Sequence, residues 1–128
     1  TTSTSWASAG MTVTITPSAT SSKVLLLCAT AMYNNSTDFA GLTIFRGLVS
    51  SGIQVSAISN TSTWGFQAMR NSTSQSYYNQ GMAITVVDAP ATTSAQLYTL
   101  AVKSGAGNQI GINYGAGNTS LTAMEIGA

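Results

Sequence analysis

Three carboxylates, Asp38, Asp88 and Glu125, and one thiol, Cys28, make up the whole acidic and thiol inventory of this 128-residue chain, and there is no histidine. Without imidazole there is no Ser-His-Asp or Cys-His catalysis and no histidine-bearing zinc site. One cysteine can form neither a thiolate metal site nor an internal disulfide. Set in the middle of an apolar run, Cys28 reads as a small core hydrophobe. Glycoside hydrolysis needs two carboxylates facing each other at a set separation, but here each acid fits a structural role better. Asp38 lies in a polar loop, and Asp88 is expected to cap the turn ahead of Pro90. Glu125, flanked by Met124 and Ile126, is expected to meet an arginine at a subunit contact. A calcium site would call for clustered Asp or Glu, and the sequence has no such cluster. Gly105-Ala106-Gly107 and Gly115-Ala116-Gly117 lack the lysine and helix that follow a phosphate loop, so they are turn glycines. The expectation is a chain with no catalytic residue, no metal and no cofactor.

What must position these groups is a single domain, residues 1–128. Only 5% of residues are charged while 44% are hydrophobic, against about 25% charged in a typical soluble protein. Ser and Thr, roughly three residues in ten, stand where charges normally do. The composition is not that of disorder, which combines low hydrophobicity with high net charge. The four basic residues, Lys23, Arg46, Arg70 and Lys103, are scattered, and the net charge is +1. Nucleic-acid binding needs a clustered basic face, so no nucleic-acid partner is expected. The longest apolar run is about eleven residues, short of the roughly 18 that span a membrane as a helix, and no membrane insertion is expected. No charged n-region precedes an apolar h-region, so no signal peptide is read. The first residue is Thr1 rather than Met, which suggests processing, excision from a longer protein or renumbering. So little charge gives a free monomer little protection against association and suits a permanent assembly.

The periodicity is that of strands. Residues 1–10 read as a lead-in carrying Trp6. Met11, Val13 and Ile15 then alternate with threonines, and Pro17 ends the strand because it cannot donate to a ladder. Residues 39–46 place Leu42 and Ile44 on one face and Phe39 and Phe45 on the other. Residues 48–57 hold a short hairpin turning at Ser50-Ser51-Gly52, and residues 66–70 form an edge strand. Residues 81–87 and 96–103 return to strand, the latter turning through residues 104–108 into a hairpin with residues 109–114. Residues 120–126 form the last strand. No segment keeps a helical period over three turns. The prediction is an all-β fold, a jelly-roll-like antiparallel β-sandwich.

Residues 23–33 are the centre of the pattern. A half-buried strand alternates apolar and polar residues, yet here both sets are apolar. Val24, Leu26, Cys28 and Met32 are assigned to the core between the sheets. Leu25, Leu27, Ala29 and Ala31 are assigned to a second contact, either an adjacent subunit or a covering segment such as residues 1–10 around Trp6. The two faces could exchange these roles. Leu25, Leu27, Ala29, Ala31 and Glu125 are therefore the candidate subunit interface. A second candidate site is the long aperiodic stretch 59–80, where aromatic rings lie among amides and hydroxyls. Rings stack on the C–H faces of sugars while amides bond the hydroxyls, so Trp64, Asn71, Tyr77, Tyr78 and Asn79 form a candidate ligand-binding loop, with Tyr77, Tyr78 and Asn79 the more exposed part. Trp64 and Phe66 fit a packing role at the sandwich end equally well.

Several stretches taken in order resemble a small β-domain of tailed-bacteriophage virion proteins. They are Trp6 with the Met11-to-Pro17 strand, Ser21-Ser22-Lys23-Val24-Leu25, Arg46-Gly47, Asp88-Ala89-Pro90-Ala91-Thr92-Thr93 with Tyr98, Ile110 to Asn113, and Met124-Glu125-Ile126. The chain departs from that family at Val86-Val87, where an aromatic-leucine pair is commoner, and in its bare charge inventory. The resemblance implies a jelly-roll-like module, a homotrimer in fibres, located in the virion and contacting other virion proteins. Its role would be the head of a tail fibre or receptor-binding protein that meets a host-surface glycan or protein. A capsid decoration protein is the alternative, followed by a soluble carbohydrate-binding module.

Overall fold

The computed structural model describes residues 1–35, 37–55, 65–70, 78–113 and 118–127, apart from the side chain of Tyr78. The fold is all-β, with antiparallel sheets packed into a single sandwich. Nine strands occur among the described residues: β1 (Ala7–Ile15), β2 (Lys23–Asn34), β3 (Phe39–Arg46), β4 (Ile53–Gln54), β5 (Gln67–Arg70), β6 (Tyr78–Asp88), β7 (Gln96–Ser104), β8 (Ile110–Ile112) and β9 (Ser120–Ile126). The first sheet runs β1-β7-β3, with β4 and β5 end to end along the outer edge of β3. The second runs β6-β2, with β9 and β8 end to end along the far side of β2. The chain crosses between the sheets at β1–β2, β2–β3, β5–β6, β6–β7 and β7–β8, while β3, β4 and β5 stay in the first sheet and β8 and β9 in the second.

The core forms where the two inner faces meet. From the second sheet come Val24, Leu26, Cys28 and Met32 of β2 with Met82 and Ile84 of β6; from the first come Leu42, Ile44, Tyr98, Leu100 and Val102. All of these are at most 5% exposed. Met11, Val13 and Ile15 pack against this core while Thr12 and Thr14 face out, as the alternation in β1 predicts. The Cys28 thiol lies inside, where burial pushes its pKa up to about 11 and keeps it neutral.

Three local expectations change. β1 begins at Ala7 rather than Met11, and a bulge between Ser8 and Thr12, with Gly10 at φ +82°, joins its two parts. The hairpin around Ser50-Ser51-Gly52 has β3 as its first arm: Phe45 faces Gln54 and Arg46 faces Ile53. Residues 96–103 and 109–114 do not form a hairpin. β7 pairs with β1 and β3, whereas β8 pairs with β2, so the glycine turn between them carries the chain from one sheet to the other.

Candidate functional site

A sheet has two faces, and once the inner ones are spent on the core the outer ones decide what the molecule presents. In antiparallel pairing, residues directly opposite each other project to the same face. The register of the second sheet therefore sets its outer face row by row. Leu25 lies between Val87 of β6 and Met124 of β9, Leu27 between Thr85 and Thr122, and Ala29 between Ala83 and Ser120. Ala31 lies beside Gly81, and Tyr33 between Asn79 and Gly111. Lys23, beside Ile126 at one end, is the one charged side chain in these rows. Val87, Met124 and Ile126 are 49%, 44% and 42% exposed. Leu25, Leu27 and Ala31 are half-buried and Ala29 is exposed.

The structure thus brings four of the predicted interface residues, Leu25, Leu27, Ala29 and Ala31, onto one face that the described residues leave open. It does not cover that face with residues 1–10. Trp6 packs instead on the first sheet, edge-to-face with Phe45 at 6.3 Å between ring centroids. Glu125 stands apart from the other four. It is opposite Val24, not Leu25, so it projects to the other side of β9, where its Oε1 accepts the Ser18 amide and hydroxyl, both at 2.7 Å. The nearby Ser22 hydroxyl, then the Ser18 hydroxyl and amide, hold the Glu125 carboxyl below the usual carboxylate range. An intramolecular serine turn takes the place of the expected arginine.

Sequence reasoning missed Val87, Met124 and Ile126 as parts of the open face. The signal that could have found them is the alternation in β6 and β9: Met82, Ile84 and Val86 point inward, which sends Val87 out, and Leu121 and Ala123 inward send Met124 out. Of the candidate ligand-binding loop, Trp64, Asn71 and Tyr77 lie outside the described residues. Tyr78 opens β6 opposite Asn34, and Asn79 is exposed beside Tyr33 on the open face.

The carboxylates are all engaged. Asp88 does more than cap a turn: it reaches across the sandwich to the first sheet. Its Oδ2 accepts Arg46 Nη1 at 3.0 Å and the Tyr98 hydroxyl at 2.8 Å. Arg46 and Tyr98 face each other across β3 and β7, so one acid clamps three strands. Burial, then the bond to Asp88, raise the Tyr98 pKa well above its ordinary value. Asp38 Oδ1 accepts the Phe39 amide at 2.7 Å. The register puts Asp88 and Glu125 on either side of Val24, about 10 Å apart by two strand spacings. That is the nearest approach of two acids that the sheet register sets. Glu125 is favoured as the anion, and Asp88 is occupied by an arginine and a phenol.

A cleft of about 220 Å³ lies where β1 and β8 border the sandwich, lined by Ala9, Val102, Ile110 and Ile112 with Tyr33, Thr1 and Ser8 at its polar parts. Among the described residues, no group of three or more His, Cys, Asp or Glu side chains could hold a metal ion. No family model, no curated protein and no solved structure matches the chain.

Proposed function

We propose that the chain is a non-enzymatic structural module of a virion, the homotrimeric head domain of a phage tail fibre or receptor-binding protein. The observation that carries the assembly part is the open apolar face of β6-β2-β9. An exposed contiguous apolar patch on an otherwise folded domain marks an interaction surface. This one runs along β2 and widens at Val87, Met124 and Ile126, bordered by Thr85, Thr122 and Ser120, with Lys23 as the one charge in its rows. Lone acids tied into hydrogen bonds, with so few other charges, suit a scaffold better than a reaction site. The ordered resemblance to virion β-domains supports the setting. Host contact is assigned to the aromatic-amide stretch that ends in Tyr77, Tyr78 and Asn79.

Light scattering on the purified chain should return about three times the 13.1 kDa chain mass; a clean monomer at micromolar concentration would sink the trimer. Host contact has its own assay. Replacing both tyrosines, Tyr77→Ala with Tyr78→Ala, should abolish adsorption of the assembled fibre to host cells, and undiminished adsorption would remove the loop from the binding surface.

A further inference from the structure

Resting on the fibre reading, in which a longer polypeptide carries this chain at its tip, we infer where the tip is joined. The residues leading into Thr1 pair with β8 as an added strand, in the slot of about 220 Å³ between β8 and β1. Hydrogen-bond alternation locates the place. The Asn35 amide donates to the Gln109 carbonyl at 3.2 Å, and the Asn113 amide to the Ala31 carbonyl at 2.7 Å. Positions 109, 111 and 113 thus direct their backbone groups at β2, while Ile110 and Ile112 turn theirs the other way. Ile110 is already paired: its amide donates to the Thr1 carbonyl at 2.9 Å and its carbonyl accepts the Thr1 nitrogen at 2.7 Å. Ile112 presents the same two groups in the same direction, and among the described residues no backbone bond outside the β2 ladder reaches them.

What sits at Ile110 shows what fits at Ile112. Thr1 lies antiparallel to β8, so the chain ahead of it runs on toward Ile112 without a turn. The first upstream residue falls opposite Gly111. The second falls opposite Ile112, about 7 Å beyond Thr1, where it exchanges two more bonds. The walls of the slot suit this: Thr1, Gly111 and Ile112 line one side, Ser8 and Ala9 the other. The backbone groups of the first upstream residue point away from β8 toward β1. There the Ser8 hydroxyl, which accepts the Gly10 amide at 3.2 Å, keeps a proton to donate. A small residue fits at this position, because the Tyr33 ring already lies over Gly111, with Cε1 2.6 Å from where a Cβ would stand. The second upstream side chain points inward beside Ile112, which packs against the core, and there an apolar side chain fits. The entry is fixed to both sheets, since the Ser3 carbonyl also accepts the Ser104 amide of β7 at 2.8 Å. A strand from another chain lacks that fixed register, whereas the joined segment arrives at high effective concentration. The lead-in thus extends the second sheet and mounts the tip rigidly on what precedes it.

Amide hydrogen exchange tests this on the full chain, alone and with Gly-Val-Ser added directly ahead of Thr1, which sets the valine opposite Ile112. In the unextended chain the Ile112 amide should exchange rapidly while the Ile110 amide is protected. In the extended chain Ile112 should slow by roughly 100-fold, and Gly111, which faces β2 in both, should not change. Equal, rapid exchange of Ile112 in the two chains overturns the added strand, and protection of Ile112 in the unextended chain overturns the open edge. Acetyl-Gly-Val-Ser-amide added separately at millimolar concentration should leave Ile112 rapid; protection equal to that of the extension would assign the slot to another chain and overturn the lead-in as its occupant. The added residues are supplied by design, so the outcome is separate from the fibre reading. Rapid exchange in the extended chain removes the added strand and leaves the fibre standing, whereas a natural polypeptide with nothing ahead of Thr1 overturns both.

Discussion

The two outer faces of the sandwich begin alike and end differently. On the first sheet the outward positions Thr43, Phe45, Thr99 and Ala101 are at most 7% exposed, although they point away from the core. Trp6 lies over Phe45, the Gln54 amide donates to the Thr43 hydroxyl at 3.0 Å, and the Thr99 hydroxyl donates to the Gly47 carbonyl at 2.8 Å. Gly65 pairs with Leu42 and approaches Trp6 and Thr43 closely. The chain covers the β3–β7 part of this face with its own residues. On the second sheet the outward positions of β2 are more apolar than these, and the described part of the chain leaves them open. Apolar content on both sides of a strand therefore shows that a cover is needed and not where it comes from. On β3 and β7 the cover is intramolecular; on β2 it is proposed to be another copy.

The largest expected effect is to strip the cover from the first sheet. Trp6→Ala removes a large ring from a packed edge-to-face contact and should cost about 3 kcal/mol of unfolding free energy. Gly65→Ala attacks the same place from the other side. Gly65 has φ +78°, and a Cβ there would lie 2.7 Å from Trp6 Cη2 and 2.8 Å from both the Leu42 carbonyl oxygen and Thr43 Cβ. Backbone strain and overpacking together should cost on the order of 2–3 kcal/mol. Urea denaturation of both variants measures this. Costs below 0.5 kcal/mol in both would mean that Trp6 decorates the first sheet without covering it, and the two faces would no longer differ.

The strands were legible in the sequence because alternation is local. Met11, Val13 and Ile15 sort inward by period alone, and so do Val24, Leu26, Cys28 and Met32. What a strand pairs with is not local. The glycines after β7 announce a turn but carry no information on whether the next strand stays in the sheet, and here β8 crosses to β2. The same limit hid the partner of Asp88: Arg46 is 42 positions away in sequence, and nothing in the spacing ties it to a tyrosine ten residues downstream. The open face was half legible. Its β2 residues stood out by being apolar without need, whereas Val87 and Met124 became part of it only through register.

A middle-sized effect comes from the tie between the sheet that bears the covered face and the one that bears the open face. Tyr98 lies wholly inside the first sheet and donates to Asp88 of the second. Its pKa is raised above the ordinary 10.0, chiefly by burial. A phenol with a raised folded pKa contributes stability that is fully present below the unfolded pKa, and loses it as pH climbs past that value toward the folded one. Stability should hold through neutral pH and fall above about pH 10. Tyr98→Phe should remove that alkaline slope at a cost of about 1 kcal/mol at pH 7 for the lost hydrogen bond. Denaturation midpoints at pH 7, 9, 10 and 11 measure it. An unchanged slope in the variant would show that the alkaline weakness arises elsewhere.

The smallest effect sharpens the comparison most, because it uses one glycine on each outer face. Gly81, beside Ala31 on the open face, has no positive φ, and a Cβ there meets nothing within 4 Å. In the separated chain Gly81→Ala should therefore add about 0.5 kcal/mol by reducing the freedom of the unfolded backbone, the opposite sign to Gly65→Ala. The gain is measured at dilutions where light scattering reports a single chain. A loss of stability at Gly81 under those conditions would mean that the chain's own residues already occupy the space over β6, and that the second sheet is covered much as the first is.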